Sequence, residues 1–156
     1  MIDPVEVTVV INTSKQAAFA AFIDQIDDWW PVENFSISQG TVHIEAEYGG
    51  KIIETAADGS EHIWGHITIW DPPKDIAISW YVGDAKTPTS ITVTFAETDD
   101  GRTGVTLVHT GWDALGAEGV QKRENYQMGW DRILDQGYAK HARATCPKPI
   151  ERGTDV

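Results

Sequence analysis

His109, Glu54 and the pair His62 and His66 are the side chains of this sequence whose type and spacing bear on chemistry. In Val105-Thr106-Leu107-Val108-His109-Thr110, His109 shares strand parity with Val105 and Leu107, so a period of two turns it inward with them. An inward imidazole, with a reference pKa of about 6.5, can orient a ligand or move a proton as general acid or base. The simpler role is a core histidine bonded to backbone or to a neighbouring tyrosine, and the lack of an assignable partner carboxylate favours it. Glu54 shares parity with Gly50 and Ile52. Burial without partners would be costly and would mark it as functional, whereas an outward glutamate on a hairpin is the commoner arrangement. Glu45 and Glu47 read as a solvated acidic face. His62 and His66, four apart in one strand, are expected on the same side but about 13 Å apart. That is too far for one metal ion, whose ligand bonds are about 2 Å, and His43 could approach only one of them across the sheet, so no metal site is expected. Gly-x-Ser-x-Gly, P-loop, His-Glu-x-x-His and Cys-x-x-Cys motifs are absent, so no catalytic residue and no cofactor is assigned.

The rings carry the stronger signal. Seven tryptophans occur in 156 residues, and three of them, Trp64, Trp70 and Trp80, lie between Glu61 and Trp80. Trp80, Phe95, Tyr126 and Trp130 fall on inward-facing sets, where they either pack a core or line an apolar pocket. One sheet and one helix leave space between them unless rings fill it, which favours a cavity for the group as a whole.

The elements that must position these residues are read from periodicity. Val5 to Ile11 is β-branched and reads as a strand. Asn12-Thr13-Ser14 offers helix caps, with Thr13 and Gln16 at capping-box spacing, and Phe19, Phe22, Ile23 and Ile26 recur as a helical stripe. Pro31 ends that segment at Trp29-Trp30. From Ser36 to Trp112, Gly and Asp turns punctuate alternating runs, which predicts a six-strand antiparallel meander. Tyr126, Trp130, Ile133, Leu134, Tyr138 and His141 then form one stripe of a helix over Ala117–Ala142, about 38 Å long. Gly129 and Gly137 interrupt it, which implies close contact or room for a ligand. Residues 143–156 read as a flexible tail after a single domain over 1–142.

Composition narrows the partners. Lys and Arg total 12 against 24 acidic residues, a formal net charge of −12 that disfavours nucleic acid and anionic membranes. No apolar run approaches the roughly 20 residues of a membrane span, and no signal peptide is expected. A lone cysteine, Cys146, cannot form an intramolecular disulfide and fits a cytoplasmic protein.

Gly49-Gly50, Asp58-Gly59-Ser60-Glu61, Trp64-Gly65-His66-Ile67, Trp70-Asp71-Pro72-Pro73, Ile78-Ser79-Trp80, His109-Thr110-Gly111-Trp112 and Tyr126-Gln127-Met128-Gly129-Trp130 occur in that order. Together they resemble the SRPBCC superfamily, specifically bacterial relatives of the C-terminal domain of Aha-type activators of the Hsp chaperone ATPase, over residues 5 to 142. The resemblance implies an α+β helix-grip fold, a curved antiparallel sheet wrapped around a long C-terminal helix with an internal cavity. It places the cavity mouth near Trp29 and Trp30. The superfamily spans ligand carriers, cyclases and chaperone activators, so the fold does not select among them. The leading expectation is binding of a small lipophilic or aromatic molecule, with Trp30, Glu54, Trp80, Phe95, His109, Tyr126 and Trp130 as candidate ligand-binding residues. A chaperone-directed or other protein-interaction module, with homodimerisation compatible, and a cyclase- or hydrolase-like enzyme using His109 are the rivals.

Overall fold

The β-branched run forms β1 (Val5–Ile11), with Val5, Val7, Val9 and Ile11 turned inward. In the computed structural model, which describes residues 1–83 and 86–148, it is followed by α1 (Lys15–Asp24) and a single-turn α2 (Ile26–Trp29). The meander comprises β2 (Thr41–Ile44), β3 (Lys51–Thr55), β4 (Glu61–Asp71), β5 (Asp75–Trp80), β6 (Thr89–Glu97) and β7 (Thr103–Thr110). Every pairing is antiparallel and the strand order is β1-β7-β6-β5-β4-β3-β2. After a 3₁₀ turn at Trp112–Glu118 come α3 (Gly119–Arg132), a π-helical segment Ile133–Ala139 and α4 (Lys140–Thr145), which make one long helix across the sheet. This is the expected helix grip. Ile91, Val93, Phe95, Val105 and Leu107 from the sheet meet Trp130, Ile133, Leu134 and Tyr138 from the helix in one core. Each such fully buried side chain contributes about 1.5–3 kcal/mol.

Several local expectations need correction. Ser14, not Thr13, caps α1, its hydroxyl accepting the Ala17 N–H at 3.1 Å. Thr13 is buried instead; its hydroxyl donates to the Pro147 carbonyl and its carbonyl accepts from the Thr103 hydroxyl at 2.8 Å. The long helix continues past Ala142 to Thr145, and residues 149–156 of the expected tail lie outside the described residues. Trp29 and Trp30, where the resemblance implies the cavity mouth, are both buried.

Strand β4 holds the largest departure. Its register against β3 shifts between Ile52 and Ile53, and against β5 between Ile67 and Ile69. Trp64 and Thr68 are therefore extra residues, each reversing parity for the remainder of the strand. His62 pairs with buried Glu54 while His66 pairs with exposed Lys51, so the two histidines lie on opposite faces rather than on one. Ile69 ends up 52% exposed for the same reason. Gly65 comes directly after the first bulge, where a Cβ would stand 2.2 Å from the Ser79 carbonyl oxygen. Among the described residues no helix is long and apolar enough to cross a membrane, and no His, Cys, Asp and Glu side chains gather as a metal site.

Candidate ligand pocket

A cavity of about 350 Å³ opens between the end of the sheet, α3 and the segment after α2. Its size falls within the range of small-molecule pockets. The floor is made of indoles. Trp30 from the end of α2, Trp64 from the first β4 bulge, Trp80 from the end of β5 and Trp130 from α3 all line it. Their ring centroids form a chain of contacts of 5.0–6.5 Å, mostly tilted or edge-on. Beneath them the space is nearly filled. The void among Phe22, Ile78, Val93 and Leu107 is only about 20 Å³, and its apolar lining offers a water no hydrogen-bond partner. The tryptophans thus divide the interior into an open upper pocket and a dry lower core.

Each of the four indole N–H groups is committed to the protein. Trp30 donates to the Phe35 carbonyl at 2.7 Å, and Trp64 to Glu54 Oε1 at 3.2 Å. Trp80 donates to the Tyr126 hydroxyl at 3.1 Å, and Trp130 to His109 Nδ1 at 3.0 Å. The floor therefore offers a visitor carbon and π surface with fixed ring orientations. Val82, Ile133 and the ring of Phe35 extend the apolar wall. Gly129 lies under Phe35, where an added Cβ would come within 3.4 Å of the ring. Polar groups are few: Tyr126, Ser36, Asn34 and Asn125. Burial raises the Tyr126 phenol above its ordinary value, so it is neutral, and having accepted from Trp80 it has its own O–H to donate.

One wall is a strap, residues 34–37, and Glu54 secures it from behind. The carboxylate is fully buried and accepts from Ile37 N (2.8 Å), Ser38 N (2.7 Å), the Ser38 hydroxyl (2.6 Å) and Gly40 N (3.1 Å), besides Trp64. Burial alone would raise its pKa, but the Ser38 hydroxyl and the backbone N–H groups of Ile37, Gly40 and Ser38 outweigh that and hold it at about 2. Glu54 therefore faces inward, against the commoner expectation, yet it does not line the pocket.

His109 is likewise shielded from solvent and is treated differently. Trp130 has only a proton to give, so Nδ1 is the acceptor and Nε2 carries the hydrogen, which it donates to the Thr89 hydroxyl at 2.6 Å. Burial lowers its pKa to about 3, so the ring is neutral. Trp112 and Tyr126 close over it, with centroids at 4.3 and 4.9 Å. Its partners are a threonine and a tryptophan, not backbone or tyrosine, and both nitrogens are occupied.

Of the sequence-predicted residues, the fold brings Trp30, Trp80, Tyr126 and Trp130 together on the pocket. Glu54 and His109 stand one layer behind as supports of Trp64 and Trp130. Phe95 lies apart in the lower core, edge-on to Phe19 and Phe22. Sequence reasoning missed Trp64, which the bulge turns inward, and the strap with Phe35; a ring-bearing turn closed by Pro31 was the available signal for the latter.

Residues 12–136 match the model of the family described as activator of Hsp90 ATPase homolog 1-like protein. No curated protein matches the sequence significantly. Among solved structures, the chain is similar to CalC, a self-sacrificing resistance protein of Micromonospora echinospora, at 26% identity and a TM-score of 0.69, covering 94% of this chain and 98% of that one. It is similar to the Aha1 dimer of Colwellia psychrerythraea at 16% identity and a TM-score of 0.63, covering 86% and 91%. A third likeness is to Txn09, an anthrahydroquino-γ-pyrone synthase, at 25% identity and a TM-score of 0.55, covering 89% and 96%.

Proposed function

The chain belongs to the activator of Hsp90 ATPase homolog 1-like family, and from that premise we propose that it binds a small, flat hydrophobic or aromatic molecule on its tryptophan floor. The observation that carries this reading is the open pocket whose four floor indoles have no N–H left to satisfy. A ligand loses water from both surfaces there and meets no unpaired indole N–H, so apolar burial supplies the affinity. The Tyr126 O–H then selects an acceptor on one edge of the ligand. Txn09, named for an aromatic product, lends support through its likeness. Contact with a chaperone or a second copy draws on the family description and the Colwellia dimer, and no feature of the pocket favours it.

The test is calorimetric titration of the purified protein with 1-naphthol. The expected result is micromolar binding with a negative heat-capacity change, and at least about tenfold weaker binding by Gly129→Leu, whose side chain occupies the pocket beside Phe35. Absence of binding, or equal binding by a folded Gly129→Leu protein, would overturn the proposal.

A further inference from the structure

A second concavity of about 450 Å³ adjoins the aromatic pocket, and Asn34 and Phe35 line both. Its character is opposite. Arg132 and Lys140 line it together with the amide of Gln136, and no carboxylate does. That is a marked local reversal in a chain with a formal net charge of −12. Glu33, Asp131 and Asp135 are near in sequence, yet none of them lines it, and Asp131 accepts instead from Gln127 at 3.3 Å. The ion pairs among the described residues, Arg102–Asp100 and Arg123–Glu124, involve neither cation.

The long helix places these two cations at either end of its π-helical segment. Gly137 lets that segment close on α2, since a Cβ there would stand 2.7 Å from the Trp29 carbonyl oxygen. Trp29 and Pro31 thereby become part of the concavity. π-Helical insertions of this kind are frequent at functional sites.

We propose that the two concavities form one site for an amphiphile: an aromatic body on the tryptophan floor and a carboxylate arm that passes Asn34 and Phe35 to reach Arg132 and Lys140. This rests on the proposed binding of an aromatic molecule in the first pocket. Two exposed cations alone hold an anion weakly, because solvent and salt screen them. An arm tethered to a ring already seated in the pocket meets them at high effective concentration, so the aromatic body provides the anchor and the cations the selectivity.

The experiment compares 4-(1-naphthyl)butyrate with the neutral 4-(1-naphthyl)butanol by calorimetry at low salt. The butyrate is expected to bind about tenfold more tightly, an advantage that shrinks as sodium chloride is raised. The double variant Arg132→Gln, Lys140→Gln should erase that advantage while leaving butanol affinity unchanged, since neither residue lines the aromatic pocket. Equal affinity of the two probes for the native protein overturns the anionic arm and leaves aromatic binding standing. A preference for butyrate that survives in the double variant overturns the assignment to Arg132 and Lys140. Failure of both probes to bind overturns this inference and aromatic binding together.

Discussion

Glu54 and His109 are both shielded from solvent behind the same layer of tryptophans, and the protein handles them by opposite physics. Around Glu54 it gathers five donors and keeps a full charge in the interior. Around His109 it supplies one donor and one acceptor and removes the charge. The difference reflects what each group holds. Glu54 fixes a loop, whose backbone N–H groups have no ladder to satisfy them. His109 fixes a single indole within a sheet whose backbone is already paired. A buried ionised group serves where several donors must be collected at one point, and a neutral ring serves where two groups need to be joined.

The sharpest way to break this contrast is Glu54→Gln. The amide cannot accept from all the strap donors and brings two protons of its own, so a loss of about 3 kcal/mol is expected in urea unfolding. Amide exchange at Ile37, Ser38 and Gly40 should accelerate beyond the global change. Unaltered protection of those three amides would separate Glu54 from the strap.

The next effect is on pH. Because His109 falls from an ordinary 6.5 to about 3 on folding, the unfolded chain takes up its proton first. Its stabilising effect is complete above pH 6.5 and declines as the pH drops, by about 1.4 kcal/mol per unit, giving about 2 kcal/mol between pH 8 and 5. Glu54 adds its own loss only below 4.5, as the pH falls toward about 2. His109→Gln should flatten the stability profile between pH 6.5 and 5, and an unchanged slope would refute a neutral histidine. The smallest test compares two floor residues. Trp130→Phe leaves His109 Nδ1 without a donor, whereas Trp64→Phe leaves Glu54 with four, so the first should cost about 1 kcal/mol more. Equal losses in thermal unfolding would show that packing, not the hydrogen bond, sets both values.

The architecture was legible because it rests on long periodic runs. Ile91, Val93 and Phe95, or Val105, Leu107 and His109, state their inward face by alternation alone, and the helix stripe through Trp130 and Tyr138 does the same. Single-residue events were not legible. An extra residue at Trp64 leaves no compositional trace, yet it turned that ring into the floor and sent His66 to the other face. Glu54 could not be placed because its partners come from a loop, where no periodicity predicts which N–H groups converge. The choice of Ser14 over Thr13 as cap was not legible because the Thr13 hydroxyl is turned to the Pro147 carbonyl, far along the sequence.

The close tilted and edge-on packing of Trp30, Trp64, Trp80 and Trp130 has an optical consequence. Indoles at such separations couple their transition dipoles and share excitation, so the floor absorbs and emits as one chiral chromophore instead of four separate ones. Its near-ultraviolet circular dichroism reports the spacing of the rings, and a molecule resting on the exposed edges of Trp30 and Trp80 alters the signal of the group.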